Sequence, residues 1–266
     1  MNEDMKLKLC VLISCMNQDE SIIQRTNIQT DVVVVNQCDE DNVRDWDFVN
    51  KKGKKCHAKF ICSKERGLSR SRNMAISNAI GDICLICDDD EWLEDDIEDA
   101  ITSAYAKHTE ASVVTFAFNR SDKSYANKSY PLGIGGIIRT SSVEISFKRK
   151  DIVEAGIEFD IMMGSGTGNG AGEENKFLMD CHRKNLKLVY EPIVIAKLLS
   201  TESMWFHGYE PAYFRNWGWA TRRAMGTSVG FLYMLYALTF HHKLYSSNIS
   251  FIEASRNMIS GYFEKR

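Results

Sequence analysis

Short apolar segments that break off into polar residues constrain this chain more than any other feature. Leu7–Ser14 (LKLCVLIS), Asp31–Asn36 (DVVVVN), Ala58–Cys62 (AKFIC) and Ile83–Cys87 (ICLIC) are too short for helices and rich in Val, Ile and Leu. Such runs suit strands buried on both faces of a parallel sheet. Between the third and fourth, Ser63–Gly67 reads as a loop, and Ser69 is placed to cap a helix over Arg70–Ile80 that Gly81 stops. A second helix is predicted beyond the fourth run. Trp92, Ile97, Ala100, Ile101 and Ala104 share its apolar face, and Glu94, Asp95 and Asp96 sit in its first turn. Ser112–Phe118 and Glu144–Lys148 read as further strands. The alternation predicts an α/β, doubly wound, mostly parallel sheet with flanking helices, whose ligands lie beyond the C-terminal strand ends.

Composition narrows the partners. The 266 residues are 44% hydrophobic and 26% charged, ordinary values for a globular chain. A formal net charge of −3 carries no basic surplus, which excludes nucleic acid as the expected partner. Met1–Leu9 mixes acids and lysines without an apolar core, so no secretory signal is expected and the protein is placed in the cytoplasm. The strongly apolar run Val229–Phe240 falls short of the roughly 20 residues that span a bilayer. It reads as a buried helix, with peripheral contact at the inner face of the cell membrane as the alternative. Eight cysteines are scattered along the chain. The Cys84/Cys87 pair lies inside a strand, where residues three apart face opposite sides, so reduced thiols are expected rather than a zinc site.

Three polar strand ends, Ser14–Asn17, Asn36–Asp41 and Asp88–Glu91, converge on one sheet edge in this reading. A cleft so rich in acids is a poor seat for bare phosphate and a good one for phosphate carried with a divalent cation. Carboxylates in D-x-D spacing hold Mg²⁺ or Mn²⁺ with one or two side chains, while diphosphate oxygens and water fill the shell. The competing interpretation is a solvated acidic start to the next helix.

Ser63–Asp96 reads SKERGLSRSRNMAISNAIGDICLICDDDEWLEDD. This segment resembles the inverting GT-A-fold glycosyltransferases of family 2. Gly67-Leu68-Ser69 matches their turn, Ser71-Arg72-Asn73 stands for Ala-Arg-Asn, Gly81-Asp82 precedes the strand, and Asp88-Asp89-Asp90-Glu91 stands for the acidic motif. The resemblance covers roughly residues 7 to 220. It implies a GT-A domain over 1–220, with a nucleotide-sugar half at 1–118, an acceptor half at 119–220 and a helical extension over 221–266.

By that resemblance Asp90 ligates the metal, Asp88 serves the metal shell or the ribose, and Asp89 belongs to the donor site. Arg66 and Arg72 would face the nucleotide, as guanidinium forks match diphosphate and uracil oxygens. Ser14-Cys15-Met16-Asn17 stands where the family has Pro-Thr-Tyr-Asn, so Ser14, Cys15 and Asn17 would cradle the base. Asp39 takes the place of an acid that binds uracil, with Glu40 and Asp41 as competitors.

The segment Gly164–Phe177 (GSGTGNGAGEENKF) has glycine at every second position and no Gly-Lys-Ser/Thr, which excludes a Walker phosphate loop. It reads as a flexible acceptor-side loop leading into Glu173 and Glu174. These resemble the family's Glu-Asp motif, which makes Glu174 the general base and Glu173 the fallback; capping of the following helix is the compatible structural role. Ala196–Leu199 lacks the histidine that family members often carry before a serine–threonine pair. His207 is the candidate substitute, and Trp205, Tyr209, Trp217 and Trp219 are candidates for stacking on sugar or for core packing.

The expected activity is transfer of a hexose or N-acetylhexosamine from a UDP-sugar to a glycan or lipid-linked oligosaccharide, with inversion. Two rivals are a sugar nucleotidyltransferase and a non-catalytic scaffold of the same fold. The first would need a glycine-rich basic loop after the first strand, and Ser14–Ser21 contains neither glycine nor Lys/Arg. The second would have lost the acids or the base.

Overall fold

The computed structural model describes residues 7–199 and 208–266. They form two compact units: 7–66, 70–158 and 180–199 in the first, 67–69, 159–179 and 208–266 in the second.

The first unit carries a mixed ten-stranded sheet. Its strands are β1 (Leu9–Met16), β2 (Asp31–Gln37), β3 (Asn42–Val49), β4 (Lys55–Ser63), β5 (Ile83–Cys87), β6 (Glu91–Leu93), β7 (Val113–Asn119), β8 (Tyr130–Pro131), β9 (Ile145–Lys148) and β10 (Leu188–Leu198). They run in the order β3-β4-β2-β1-β5-β9-β7-β10-β6, with β8 beside β10. β4, β2, β1 and β5 are mutually parallel, as are β7 and β10, while β9 runs antiparallel between β5 and β7. The helices of this unit are α1 (Ile22–Arg25), α2 (Leu68–Asn78) from Arg70 on, α3 (Ile97–Lys107), α4 (Ile134–Arg139) and α5 (Arg149–Glu154), whereas α6 (Glu173–Arg183) begins in the second unit.

The apolar runs became the central strands because both of their faces are covered. Every residue of β5 is buried, and every residue of β1 except Met16. Each such aliphatic side chain stabilises the fold by about 1.5–3 kcal/mol relative to exposure. The register sets Ile13 beside Cys87 and Met16 beside Gln37, so the polar residues after β1, β2 and β5 leave the sheet at one edge. A Cβ on Gly81 would stand 2.8 Å from the Cβ of Cys10, so a glycine lets the chain enter β5 against β1.

Two local expectations are corrected. Ser69 does not cap a helix over Arg70–Ile80: α2 already begins at Leu68, and the Ser69 hydroxyl donates to the Met163 carbonyl at 2.8 Å. Trp92 is not on the second helix but in β6, paired with Lys197 of β10; α3 starts at Ile97, with Glu98 and Asp99 in its first turn. Pairing with a strand about a hundred residues later holds residues 91–93 extended. The edge strand β3 had no apolar run to announce it. Its Asp45 and Asp47 instead face Lys59 and His57 of β4, and Asp47 also pairs with Lys55 at 2.7 Å. Polar edges of this kind discourage pairing with other chains.

The second unit holds the C-terminal helices α7 (Pro211–Met225), α8 (Thr227–Phe240), α9 (His242–Tyr245) and α10 (Phe251–Phe263). Pro211 opens α7, and Ser250 caps α10 by accepting from Glu253 N at 3.2 Å. α7 and α10 meet backbone to backbone: a Cβ on Gly218 would lie 2.0 Å from the Met258 carbonyl oxygen, and one on Gly261 1.8 Å from that of Arg215. Phe214, Met234, Leu238, Tyr245, Met258 and Tyr262 form the core of this bundle.

The run Val229–Phe240 is helical, yet it is not the buried helix expected. Only part of α8 faces the core; Leu232 is 68% and Phe240 73% exposed, and Ile252 on α10 is 80% exposed. Among the described residues no helix is long and apolar enough to cross a membrane.

Candidate active site

At the C-terminal edge of the parallel strands, the end of β1 is shaped by an asparagine in the left-handed region. Asn17 has φ +52°, a conformation asparagine tolerates better than most residues, and its N–H donates to the Gln37 carbonyl at 3.1 Å. The buried Asn36 clamps the next turn from both sides. Its Oδ1 accepts from Gln18 N and its Nδ2 donates to Gln18 O, each at 2.9 Å. Ser14 and Cys15 are buried. The Cys15 thiol points toward Val35 O and Asn36 Oδ1, and burial pushes it up to about 12, so it stays protonated.

Arg66 bridges the loops after β2 and β4. One guanidinium nitrogen donates to the carbonyls of Cys38, Ser63 and Lys64 at 2.8–3.1 Å, and the other to Asp39 Oδ1 at 2.6 Å. The Asp39 carboxylate is otherwise open to solvent, at 99% side-chain exposure, where an ion pair adds little stability. The two residues are thus brought together, with Arg66 shaping the loop that presents Asp39.

The acidic segment follows β5. Asp88 and Asp89 are half-buried and Asp90 is exposed. Arg72, on α2 and only 1% exposed, donates from Nη2 to Asp88 Oδ1 at 3.1 Å; the Ser142 hydroxyl lies 3.4 Å from the other oxygen. Arg72 therefore reaches the acidic segment from inside the fold. Loss of solvating water, and then the Asp88 charge, hold Asp89 and Asp90 above the ordinary carboxylate value of 3.8. Glu91 differs from its neighbours. It is fully buried, and burial followed by the Asp88 charge pushes it well above 4.5. Glu91 lies inside the sheet rather than at its edge.

This donor set fits a hard divalent cation: crowded carboxylates, two of them resisting ionisation, are relieved by a positive charge. Among the described residues no three carboxylates bring oxygens within 4.8 Å of one another, so one or two of Asp88 and Asp90 would hold the ion, with other oxygens completing its shell.

In the second unit, glycines 164, 166, 168, 170 and 172 all have positive φ, between +73° and +105°, which explains their alternation. The loop is tied by Gly164 N to Gly170 O at 3.0 Å, the Thr167 hydroxyl to Gly164 O at 2.8 Å and Asn169 Nδ2 to Met162 O at 3.0 Å. These bonds shape the loop into a turn. It leads into α6, whose first two residues are Glu173 and Glu174. Glu173 is buried, accepts from Gly172 N at 3.1 Å and abuts Gly164 and Ser69; Glu174 is partly exposed.

Trp219 is buried with Met163 and Ala220, and Tyr209 and Trp217 pack on the helical core, so these aromatics serve packing. Trp205 and His207 lie outside the described residues. Asn36 was foreseen only as part of a polar strand end, and Ser142 not at all. Ser142 had no signal, since it arrives from 54 residues beyond Asp88.

The sequence profile described as Glycosyl transferase family 2 matches residues 14–166, more than half of the chain. The chain belongs to glycosyl transferase family 2. No curated protein sequence matches this family member. Among solved structures it is similar to TarS 1-349 of S. aureus, with a TM-score of 0.62 at 14% identity, over 97% of this chain and 81% of that one. The same protein in complex with UDP-GlcNAc gives a TM-score of 0.66 at 14% identity, over 96% and 79%. The mannosyltransferase PcManGT from Pyrobaculum calidifontis, in complex with GDP-Man and Mn²⁺, gives 0.58 at 14% identity, over 97% and 74%. These likenesses establish the GT-A fold for this glycosyltransferase.

Proposed function

We propose that this family 2 member transfers a hexose or N-acetylhexosamine, with inversion, from a UDP-sugar to a hydroxyl of a glycan or lipid-linked oligosaccharide. The observation that carries the reading is Asp88, fixed by the buried Arg72 at the acidic end of β5 on a GT-A sheet. Asp90 and Asp88 would hold the divalent cation, Mn²⁺ or Mg²⁺, which when bound offsets charge on the departing diphosphate. Asp89 completes the donor side of this segment. Asn17 and the buried turn of Ser14 and Cys15 shape the base cradle, with Asp39 presented by Arg66. Glu174 takes the proton from the acceptor hydroxyl as its oxygen attacks the anomeric carbon. Its place at the start of α6 and its partial exposure support that role over the buried Glu173, which is better suited to holding the turn.

A lipid-carried acceptor is supported by the apolar side chains that α8 and α10 expose, Leu232, Phe240 and Ile252 among them. They suit peripheral contact with the inner membrane face. The reading is tested by a donor-hydrolysis screen across UDP-, GDP- and TDP-sugars with and without Mn²⁺. Metal-dependent hydrolysis of a UDP-sugar is expected; hydrolysis of none, with metal present, would favour a non-catalytic scaffold.

A further inference from the structure

The loop after β2 and the end of β4 bring together a second set of ligand-type side chains, different in chemistry from the acids after β5. Cys38 follows β2 directly, Glu40 lies two residues on, and Cys62 is the penultimate residue of β4, beside Asn36 in the sheet register. Their ligand atoms, two thiol sulfurs and a carboxylate oxygen, all lie within 4.8 Å of one another. They are the one trio of His, Cys, Asp or Glu so arranged among the described residues. Around a tetrahedral ion with bonds of about 2.3 Å to sulfur, two thiolates stand about 3.8 Å apart, so a small closure brings this trio onto one centre.

The frame for that closure is already built. Cys38 N donates to Ser63 O at 3.0 Å, the Arg66 guanidinium to Cys38 O at 2.8 Å, and Lys64 N to Asp41 Oδ1 at 2.9 Å. The loop is thus held to β4 on both sides of Glu40. Cys62 is buried, Cys38 half-buried and Glu40 exposed, which leaves the fourth position facing water. Two sulfurs and one oxygen select a borderline or soft cation over Mg²⁺.

We propose that Cys38, Glu40 and Cys62 form a binding site for a divalent cation of the zinc class, separate from the acidic segment after β5. An ion there pins the loop that carries Asp39 to the end of β4. Binding displaces both thiol protons to solvent and involves no redox step.

Cobalt titration of the reduced full chain tests this, because Co²⁺ bound to thiolate gives a near-ultraviolet charge-transfer band. One equivalent is expected to develop the band, Zn²⁺ to abolish it, and excess Mg²⁺ to leave it unchanged. Cys38→Ser and Cys62→Ala should each lose the band, whereas Asp90→Ala should keep it. Should Cys62→Ala fail to fold, Cys38→Ser at the half-buried position decides. Absence of the band in the wild type, its survival in Cys38→Ser, or its loss in Asp90→Ala would overturn the assignment.

Discussion

Arg72 and Asp88 join the helix after β4 to the acidic end of β5: an almost fully buried guanidinium donates to the carboxylate at 3.1 Å. A buried cation of this kind is costly without its partner. It orients one oxygen of Asp88 inward and fixes where the acidic segment starts. Replacing Arg72 by Ala removes both the charge pair and the packing of a long stem. The expected loss is about 3 kcal/mol of unfolding free energy, read from urea denaturation of wild type and variant.

Glu91 makes the pH dependence testable. Its carboxyl is pushed above its ordinary value by burial and then by Asp88, so ionisation disfavours the folded state. The stability that this buried acid contributes is full below the unfolded value and is lost as pH rises through the folded one. Glu91→Gln should therefore melt close to wild type near pH 4 and above it at alkaline pH, in EDTA. A gap between the two melting temperatures that does not widen with pH would contradict the assignment.

Glu174→Gln separates binding from chemistry. Loss of a general base lowers turnover by about 10²- to 10⁴-fold, while the donor dissociation constant, measured by calorimetry, should stay unchanged. Glu173→Gln is expected to act through the turn it holds, lowering the melting temperature with a smaller effect on turnover. Near-normal turnover in Glu174→Gln would pass the role to another group.

The helical unit is sensitive where α7 and α10 touch. Gly261→Ala places a Cβ 1.8 Å from the Arg215 carbonyl oxygen, and the helices must separate. A loss of about 1–3 kcal/mol is expected from such overpacking, measured by thermal or chemical unfolding. On the open side of the same unit, Leu232→Glu should leave the melting temperature near wild type and reduce sedimentation with anionic lipid vesicles. Equal sedimentation of both proteins would remove the support for membrane contact.

The central strands were legible because burial on both faces writes an unbroken apolar run: Ile83–Cys87 matches β5 residue for residue. The acidic segment, the glycine turn and the paired glutamates were legible as ordered motifs. Strands defined by distant partners were not. β6 exists because residues 91–93 meet β10, and β3 is stabilised by cross-strand charges rather than by an apolar face. For the same reason the inward reach of Arg72 and the approach of Ser142 to Asp88 were hidden, since both depend on chain segments far from the motif. The exposure of α8 was hidden too, because a helix apolar all round does not say which side the core will take.

Calorimetric titration of UDP into the full chain, with Mn²⁺ and then with EDTA, tests the donor anchor most directly when repeated on Asp90→Ala. Heat of binding is expected only for the wild type with metal, and none for Asp90→Ala in either buffer. Equal UDP binding in EDTA, or undiminished metal-dependent binding by Asp90→Ala, would contradict a cation held at the acidic end of β5.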